Sequence, residues 1–207
     1  MRFPIALMAL GAFLCATALA DTKMVVLLIG PPGAGKTTQA RKISRKYRVP
    51  AISMSDLLKK DAGWGKAGSH KVLKAQMESG ELVNDETADL LVRKRLFLKD
   101  AERGFVLDGY PANGAQAEKL AKLLQERSLP QPVVLYLDAP DAVIRERMKK
   151  RHQADDTPEM IDHRIEEYHR NASFLLQQYP GAQLKKIDGA RSEDQVWRDV
   201  EQALAGN

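Results

Sequence analysis

The sequence predicts a doubly wound α/β fold with a parallel sheet of five strands. Apolar runs of five or six residues alternate with segments of helical periodicity along the chain, and strands that are separated by helices pair in parallel. The 207 residues suffice for one domain with small insertions and a sizeable core. The chain has no internal repeat and no low-complexity tract, so we expect one unit of this class.

The first strand and the first helix are joined by a glycine-rich turn. The apolar run 24–29 ends at Gly30, and a helical pattern extends from Lys36 to Tyr47, which is the context that the phosphate-binding loop G-x-x-x-x-G-K-[ST] requires. Glycines let backbone amides crowd around phosphate oxygens, and the helix N-terminus adds partial positive charge. The motif predicts a nucleoside triphosphate site that is formed by Gly33, Ala34, Gly35, Lys36, Thr37 and Thr38.

Short elements follow the first helix. Residues 49–53 predict a strand, and Ser55 is a plausible N-cap for a helix that has Leu57-Leu58 on its apolar side. Residues 61–69 predict a loop, and residues 70–78 predict a short helix that ends at Gly80. Asn84 caps the next helix, whose buried face we expect to include Leu90, Leu91, Leu96, Phe97 and Leu98.

The second half of the chain continues the alternation. Residues 104–108 predict a buried strand that ends in a tight turn, with Asp108 where a Walker-B aspartate would stand. Pro158 fits the first turn of a helix. The pattern predicts helices at 116–127, 141–150, 158–178 and 192–204 and strands at 133–137 and 183–187. We expect one domain, residues 21–207, with inserts near 53–82 and 151–157.

The first 20 residues have the pattern of a secretory signal peptide. Arg2 is followed by the apolar run 5–17 and by Ala18-Leu19-Ala20, which suits a signal peptidase. A retained membrane anchor is the alternative, although the run is barely long enough to cross a bilayer. We expect cleavage before Asp21, export to the periplasm or the medium, and no stable membrane association afterwards. Cleavage also removes the single cysteine, Cys15, which suits an oxidising compartment.

The charge balance is moderately basic. The net charge is +5, and loss of Arg2 lowers it to +4. Enzymes that handle phosphates also collect Lys and Arg, and we see no basic run interleaved with aromatic residues, so we do not expect nucleic acid as a partner. The four histidines lack the spacing of metal ligands, and we expect them at the surface.

Several motifs resemble those of adenylate kinases and, more broadly, of nucleoside monophosphate kinases. The resemblance covers residues 24 to about 203. The phosphate loop is similar to the family's loop except that Thr37 stands where glycine is usual. The other motifs are residues 52–59 (I-S-T-G-D-x-L-R in the family), 80–86 (G-x-L-V-x-D-E), 104–112 (G-F-[IL]-L-D-G-[FY]-P-R) and 147–168, which resembles the family's lid in its short form.

The resemblance implies roles for individual residues. Lys36 would contact the donor phosphates, Arg151 and Arg164 would close over the transferring group, and Mg²⁺ would be held through water at Asp108 and Thr37. The donor base would lie near Arg147 and Arg191. The acceptor would be bound by Lys59, Glu81, Leu82, Val83, Gly109 and Gln116, of which Gln116 would read the base. Asp155 and Asp156 either contact the site or cap the next helix.

Such chemistry depends on cations and on closing loops, because two polyanions must be brought together away from water. The resemblance therefore implies ATP and Mg²⁺ as cofactors and small nucleotides as partners, and we expect a monomer.

The chain departs from the family pattern on the acceptor side. Ala112 and Lys59 stand where two arginines would bind the acceptor phosphate, Gln153 (or Ala154 if the gap shifts) replaces a lid arginine, and Met54-Ser55 replaces Thr-Gly at the acceptor nucleoside. An arginine at the transition state can be worth about 10³–10⁵ in rate, or about 4–7 kcal/mol. Activity would then require another cation, for which Arg93 is a candidate.

Three functions stay open on the sequence. The first is transfer of the terminal phosphoryl group of ATP to a nucleoside monophosphate, with AMP as the expected acceptor. The second is a secreted nucleotide-binding protein with weak or no catalysis. The third is a kinase for another acceptor such as CMP or UMP, because Asn113 resembles a residue of pyrimidine monophosphate kinases.

Overall fold

The computed structural model describes residues 23–61, 83–151 and 156–206. The predicted signal peptide 1–20, the loop predicted after residue 61, the predicted helix 70–78 and most of the two predicted inserts lie outside the described residues. So do several single residues that the sequence singles out: Gly80, Glu81, Leu82, Gln153, Ala154 and Asp155.

Five parallel strands form one sheet, as the sequence predicts, and the structure gives their order as β2-β3-β1-β4-β5. The strands are β1 (Met24–Ile29), β2 (Ala51–Ser53), β3 (Gly104–Asp108), β4 (Val133–Asp138) and β5 (Leu184–Asp188). The pairing of β1 with β3 places Leu28 opposite Asp108. Because all strands are parallel, their carboxyl ends meet at one edge, and the strand order reverses at β1, where such folds bind ligands.

The described residues form seven α-helices and two short 3₁₀ helices (Lys99–Ala101 and Gly181–Gln183). The α-helices are α1 (Lys36–Tyr47), α2 (Met54–Asp61), α3 (Asp85–Leu96), α4 (Gly114–Glu126), α5 (Asp141–Arg151), α6 (Pro158–Gln177) and α7 (Glu193–Ala205). No helix within these ranges combines the length and the apolar character needed to cross a membrane.

Helices cover both faces of the sheet. Side chains of α1 and α7 pack on one face around Val26, Leu28 and Val106, and those of α3, α4 and α6 pack on the other around Leu27 and Phe105. Burial on both faces explains why β1 and β3 are almost continuous apolar runs rather than alternating ones.

Some boundaries differ from the sequence predictions. Helix α2 begins at Met54, so Ser55 is not its N-cap; its hydroxyl lies 2.9 Å from that of Ser53. Strand β2 is three residues long because Pro50 has no amide to donate, although its carbonyl accepts from the Val106 amide at 2.9 Å. Helix α4 begins at Gly114, two residues earlier than predicted, because Asn113 caps it.

The predicted buried face of α3 is partly wrong. Leu91 and Leu96 are buried, but Leu90, Phe97 and Leu98 are at least half exposed. Ala88 and Val92 complete the buried stripe at spacings of three and four residues, whereas Leu90 points away from it and the last two residues follow the end of the helix.

The different burial of Leu96 and Leu90 predicts different losses of stability when each is replaced by Ala. Replacing Leu96 by Ala should lower the free energy of unfolding by about 2–5 kcal/mol, because a fully buried side chain is removed. Replacing Leu90, which is 50% exposed on the same helix, should cost less than about 1 kcal/mol. Urea unfolding of both variants measures the difference, and equal losses would contradict the burial described for α3.

Candidate active site

The phosphate loop is a tight turn around the Lys36 side chain. Lys36 Nζ donates to the carbonyl oxygens of Gly30 and Pro31, both at 2.7 Å. The φ angles at Gly33 and Gly35 are +77° and +93°, where other residues are strained. A Cβ at Gly30 would lie 2.2 Å from the Leu137 carbonyl oxygen. Only glycine therefore lets β1 lie so close to β4 and turn back over the lysine.

Desolvation is the main influence on the Lys36 ammonium. Burial lowers the pKa of Lys36 below its ordinary value, and the nearby Asp108 carboxylate partly opposes this. A partly desolvated cation interacts more strongly with an anion than an exposed one does. The loop therefore presents a charge that is suited to phosphate oxygens.

A hydroxyl and a carboxylate meet beside this loop. Thr37 Oγ1 donates to Asp108 Oδ2 at 2.6 Å, and the Asp108 residue is 5% exposed at the end of β3. Thr38 is exposed in the first turn of α1, and Ala34 is buried. Within the described ranges, no group of three or more His, Cys, Asp or Glu could hold a metal. The two oxygen groups fit a cation such as Mg²⁺, which keeps several waters and uses few protein ligands.

Two lid arginines converge on one carboxylate. Arg151 donates to Asp156 through Nε at 2.8 Å and through a terminal nitrogen at 2.6 Å, and Arg164 lies 3.5 Å from the same residue. The Asp156 side chain is only 2% exposed. Helix α6 is capped instead by Thr157, which accepts from the Met160 amide. Of the two alternatives for Asp156, the structure thus supports contact with the site arginines.

A cavity of about 220 Å³ opens between the phosphate loop, the turn after β3 and helix α6. Its lining includes Lys36, Gly109, Ala112, Arg164, Glu167 and Tyr168. The fold therefore brings together residues that lie more than 130 positions apart in sequence. Ala112 carries no charge. Among the described residues, the cations of this lining are Lys36 and Arg164.

Gln116 lies in a hydrogen-bond network at the start of α4. Its Nε2 donates to Asp85 Oδ1 at 2.7 Å, and its Oε1 accepts from the Ala112 amide at 2.7 Å. Asn113 Nδ2 donates to the same Asp85 oxygen at 2.9 Å. Gln116 is 2% exposed and retains one N–H and one lone pair. The network fixes the orientation of the amide, because Asp85 only accepts and a backbone N–H only donates.

Asp85 was not singled out by sequence reasoning. In the sequence it is one of two acids in the first turn of a capped helix, a common arrangement with a local explanation. Only the packing of α3 against α4 brings its carboxylate to Gln116 and Asn113. Of the other predicted acceptor residues, Val83 is buried, and Lys59 is exposed near the end of α2.

Arg147 and Arg191 have different surroundings. The Arg147 guanidinium donates to the carbonyl oxygens of Gly189, Ala190 and Arg191 at 2.5–3.0 Å. The Arg191 side chain is paired with Asp199 of α7 at 2.7 Å. Arg147 therefore holds the loop after β5, and the Arg191 guanidinium is directed towards α7.

Arg93 does not replace the missing acceptor arginine in this structure. Its guanidinium forms two hydrogen bonds of 2.7 Å with Glu126, the last residue of α4. Gln116 lies ten residues earlier on that helix, about 15 Å away along its axis. The hypothesis fails because α3 carries Arg93 to the far end of α4.

The chain is similar in sequence to proteins of one known family. The adenylate kinase family model matches residues 28–184. The chain belongs to the adenylate kinase family. It covers nearly the full length of similar proteins: adenylate kinases from Chelativorans sp. (strain BNC1), 36% identical over 193 residues (88% of this chain, 99% of that protein), and from Leuconostoc mesenteroides, 38% over 181 residues (86% and 96%).

A further relative is the adenylate kinase of Mycobacterium tuberculosis (strain ATCC 25618 / H37Rv), which is 38% identical over 182 residues, 87% of this chain and 99% of that protein. As a member of the adenylate kinase family, the chain is a nucleoside monophosphate kinase. Enzymes of this family bind nucleotides and use ATP together with a divalent cation. The phosphate loop, Asp108 and the two arginines on Asp156 are groups of the kinds that such chemistry uses.

The capping role of Asn113 gives a prediction for this adenylate kinase relative. Asn113 Oδ1 accepts from the Gln116 amide at 2.9 Å, so Asn113→Ala should lower the free energy of unfolding by about 1 kcal/mol. Asn113→Ser should retain most of that stability, because serine also caps helices, and should leave the preference among nucleoside monophosphates unchanged. Urea unfolding and initial rates measure both effects. A stable Asn113→Ser variant with an altered acceptor preference would instead assign Asn113 to base recognition.

Proposed function

We propose that this protein transfers the terminal phosphoryl group of ATP to AMP and forms two molecules of ADP. The observation that carries the proposal is the convergence of Lys36 and Arg164 on one cavity at the carboxyl ends of the strands, with Asp108 bonded to Thr37 of the adjoining phosphate loop. The adenylate kinases that are 36–38% identical over most of the chain support the same reaction.

The geometry suits a reaction that depends on positioning and charge. The acceptor is a phosphate oxygen that is already anionic, so no strong general base is needed. Lys36 would bind the donor phosphates, and Arg151 and Arg164 would close over the transferring group and exclude water. Bound Mg²⁺ would supply positive charge between the donor phosphates, and Asp108 and Thr37 would orient its water ligands.

The acceptor side is where this chain would differ from its relatives. We assign acceptor binding to Lys59, Val83, Gly109 and Gln116, together with Glu81 and Leu82. Lys59 keeps a charge but lacks the two-pronged geometry of arginine, and Ala112 supplies none. We therefore expect AMP to be bound less firmly than an arginine at position 112 would allow.

The two alternative functions have less support. A nucleotide-binding protein without catalysis would not need the paired lid arginines, which are present on Asp156. Preference for CMP or UMP rested on Asn113, whose amide oxygen and nitrogen are engaged in helix capping and with Asp85.

The proposal is tested by following diphosphate formation from ATP and Mg²⁺ with AMP, CMP, UMP or GMP. AMP should be the best acceptor, and Ala112→Arg should raise kcat/KM for AMP at least about tenfold, because it restores a cation near the transferring group. Ala112→Gln is the matched control, since it adds similar length without charge. No gain from Ala112→Arg while ATP binding is unchanged would count against AMP as the acceptor; if no nucleotide is turned over, the binding-only function is favoured.

We also propose that the mature protein begins at Asp21, acts outside the cytoplasm as a monomer, and uses free nucleotides rather than nucleic acid. The pattern of Arg2, the apolar run 5–17 and Ala18-Leu19-Ala20 supports export. Mass spectrometry of the protein from fractionated cells should find the N-terminus at Asp21 outside the cytoplasm. An intact Met1 on cytoplasmic protein would reject export, whereas an intact Met1 on membrane-bound protein would favour the anchor.

A further inference from the structure

A basic and partly apolar surface lies at the end of the sheet opposite the phosphate loop. We call it the basic pole and define it as Lys23, residues 93–103 and residues 126–128. Strand β1 starts beside it at Met24 and reaches the phosphate loop six residues later, about 20 Å away. The basic pole is therefore separate from the candidate active site.

Contacts show that these three segments form one continuous surface. The Met24 amide donates to the Arg103 carbonyl at 3.1 Å, and Lys23 Nζ donates to the Ser128 carbonyl at 3.2 Å. The guanidinium carbons of Arg93 and Arg127 lie 4.9 and 5.0 Å from the centre of the Phe97 ring. The segments 93–103 and 126–128 thus meet at the Phe97 ring, and the start of the described chain joins them through Arg103 and Ser128.

The charge of the basic pole is high for its size. Seven Lys and Arg residues face three carboxylates (Asp100, Glu102 and Glu126), which leaves +4. The whole chain carries +5. Seven of the 32 Lys and Arg residues lie here, but with few acids among them, so most of the net positive charge lies at the end of the molecule where no phosphate site has been described.

Two apolar side chains project from the same surface. Phe97 is 50% exposed and Leu98 is 53% exposed, directly beside the basic residues. Cations that surround exposed apolar groups match the interface of an anionic lipid bilayer, where phosphates attract the cations and the acyl boundary accepts the apolar groups. A nucleic acid would match the cations but would leave the leucine without a partner.

The end of the sheet at which the chain enters β1 also favours an anionic bilayer as the ligand of the basic pole. The backbone enters β1 at the basic pole, so the apolar sequence run 5–17 is attached there through only a few residues. The six residue steps from Thr17 to Lys23 span at most about 20 Å when extended. Any interaction of that run with a membrane would bring the basic pole towards lipid and leave the candidate active site facing away.

We propose that the basic pole docks the folded protein on anionic lipid surfaces. The binding would be peripheral and reversible rather than a stable membrane association, since it rests on charge and on two partly exposed side chains. It would weaken as the salt concentration rises, because exposed charges are screened. Each cation near such a surface contributes about a fivefold gain in affinity.

The test is cosedimentation of the full chain, and of the chain that begins at Asp21, with vesicles of phosphatidylcholine alone or mixed with phosphatidylglycerol. The shorter chain retains all strands and helices described above, and it separates docking from any effect of the first 20 residues. Both forms should bind the mixed vesicles. The shorter chain should bind vesicles of phosphatidylcholine alone at least about tenfold more weakly than it binds the mixed vesicles.

Variants locate the surface. In the shorter chain, Lys94→Glu with Lys99→Glu should weaken binding at least about twentyfold, and Phe97→Ser with Leu98→Ser should weaken it about fivefold. The matched control is Lys149→Glu with Lys150→Glu, which makes the same charge change on exposed residues of α5 near the lid and should retain most of the binding. Circular dichroism melting checks that each variant is folded.

Three outcomes would overturn the proposal. The first is equal binding of the shorter chain to neutral and anionic vesicles. The second is an equal loss in the α5 control and the basic-pole variants. The third is binding of a single-stranded oligonucleotide without binding of anionic vesicles, which would make the basic pole a nucleic-acid surface.

Discussion

The site depends on the close approach of β1 to its two neighbours. Gly30 has no Cβ, and so the end of β1 lies against the Leu137 carbonyl and the chain turns directly over Lys36. On the other side, the parallel register with β3 brings Asp108 to the Thr37 hydroxyl. Both contacts follow from strand packing, which places β4 against the start of the loop and the end of β3 beside Thr37.

The proposed donor and acceptor halves of the site are organised differently. Backbone carbonyls, a buried carboxylate and the Asp156 side chain fix the donor-side groups Lys36, Thr37 and Arg151. On the acceptor side, Gln116 is fixed by Asp85 and a backbone amide, but Ala112 leaves a cavity in place of a cation. The geometry for holding a triphosphate is thus more complete than the geometry for holding a second phosphate.

The distribution of charge gives the molecule two ends. Cations at the carboxyl ends of the strands are held by carbonyls and carboxylates around a cavity, as suits a site for polyanions. Cations at the basic pole surround Phe97 and Leu98, where both apolar side chains are half exposed. The parallel sheet keeps the two ends apart, because each crossover connection returns the chain from the carboxyl end of one strand to the amino end of the next.

The sequence by itself determined the sheet, the phosphate loop and most helix positions, because periodicity, glycine spacing and capping residues such as Asn84 act over a few neighbouring positions. It also gave the family, through motifs that are local. Only the tertiary structure decided which side of α3 is buried, that Arg93 pairs with Glu126, that Asp85 orients Gln116, and that Lys23, Arg103 and Arg127 share one surface. Those relations join residues far apart in the chain, and packing between elements sets them rather than any local preference.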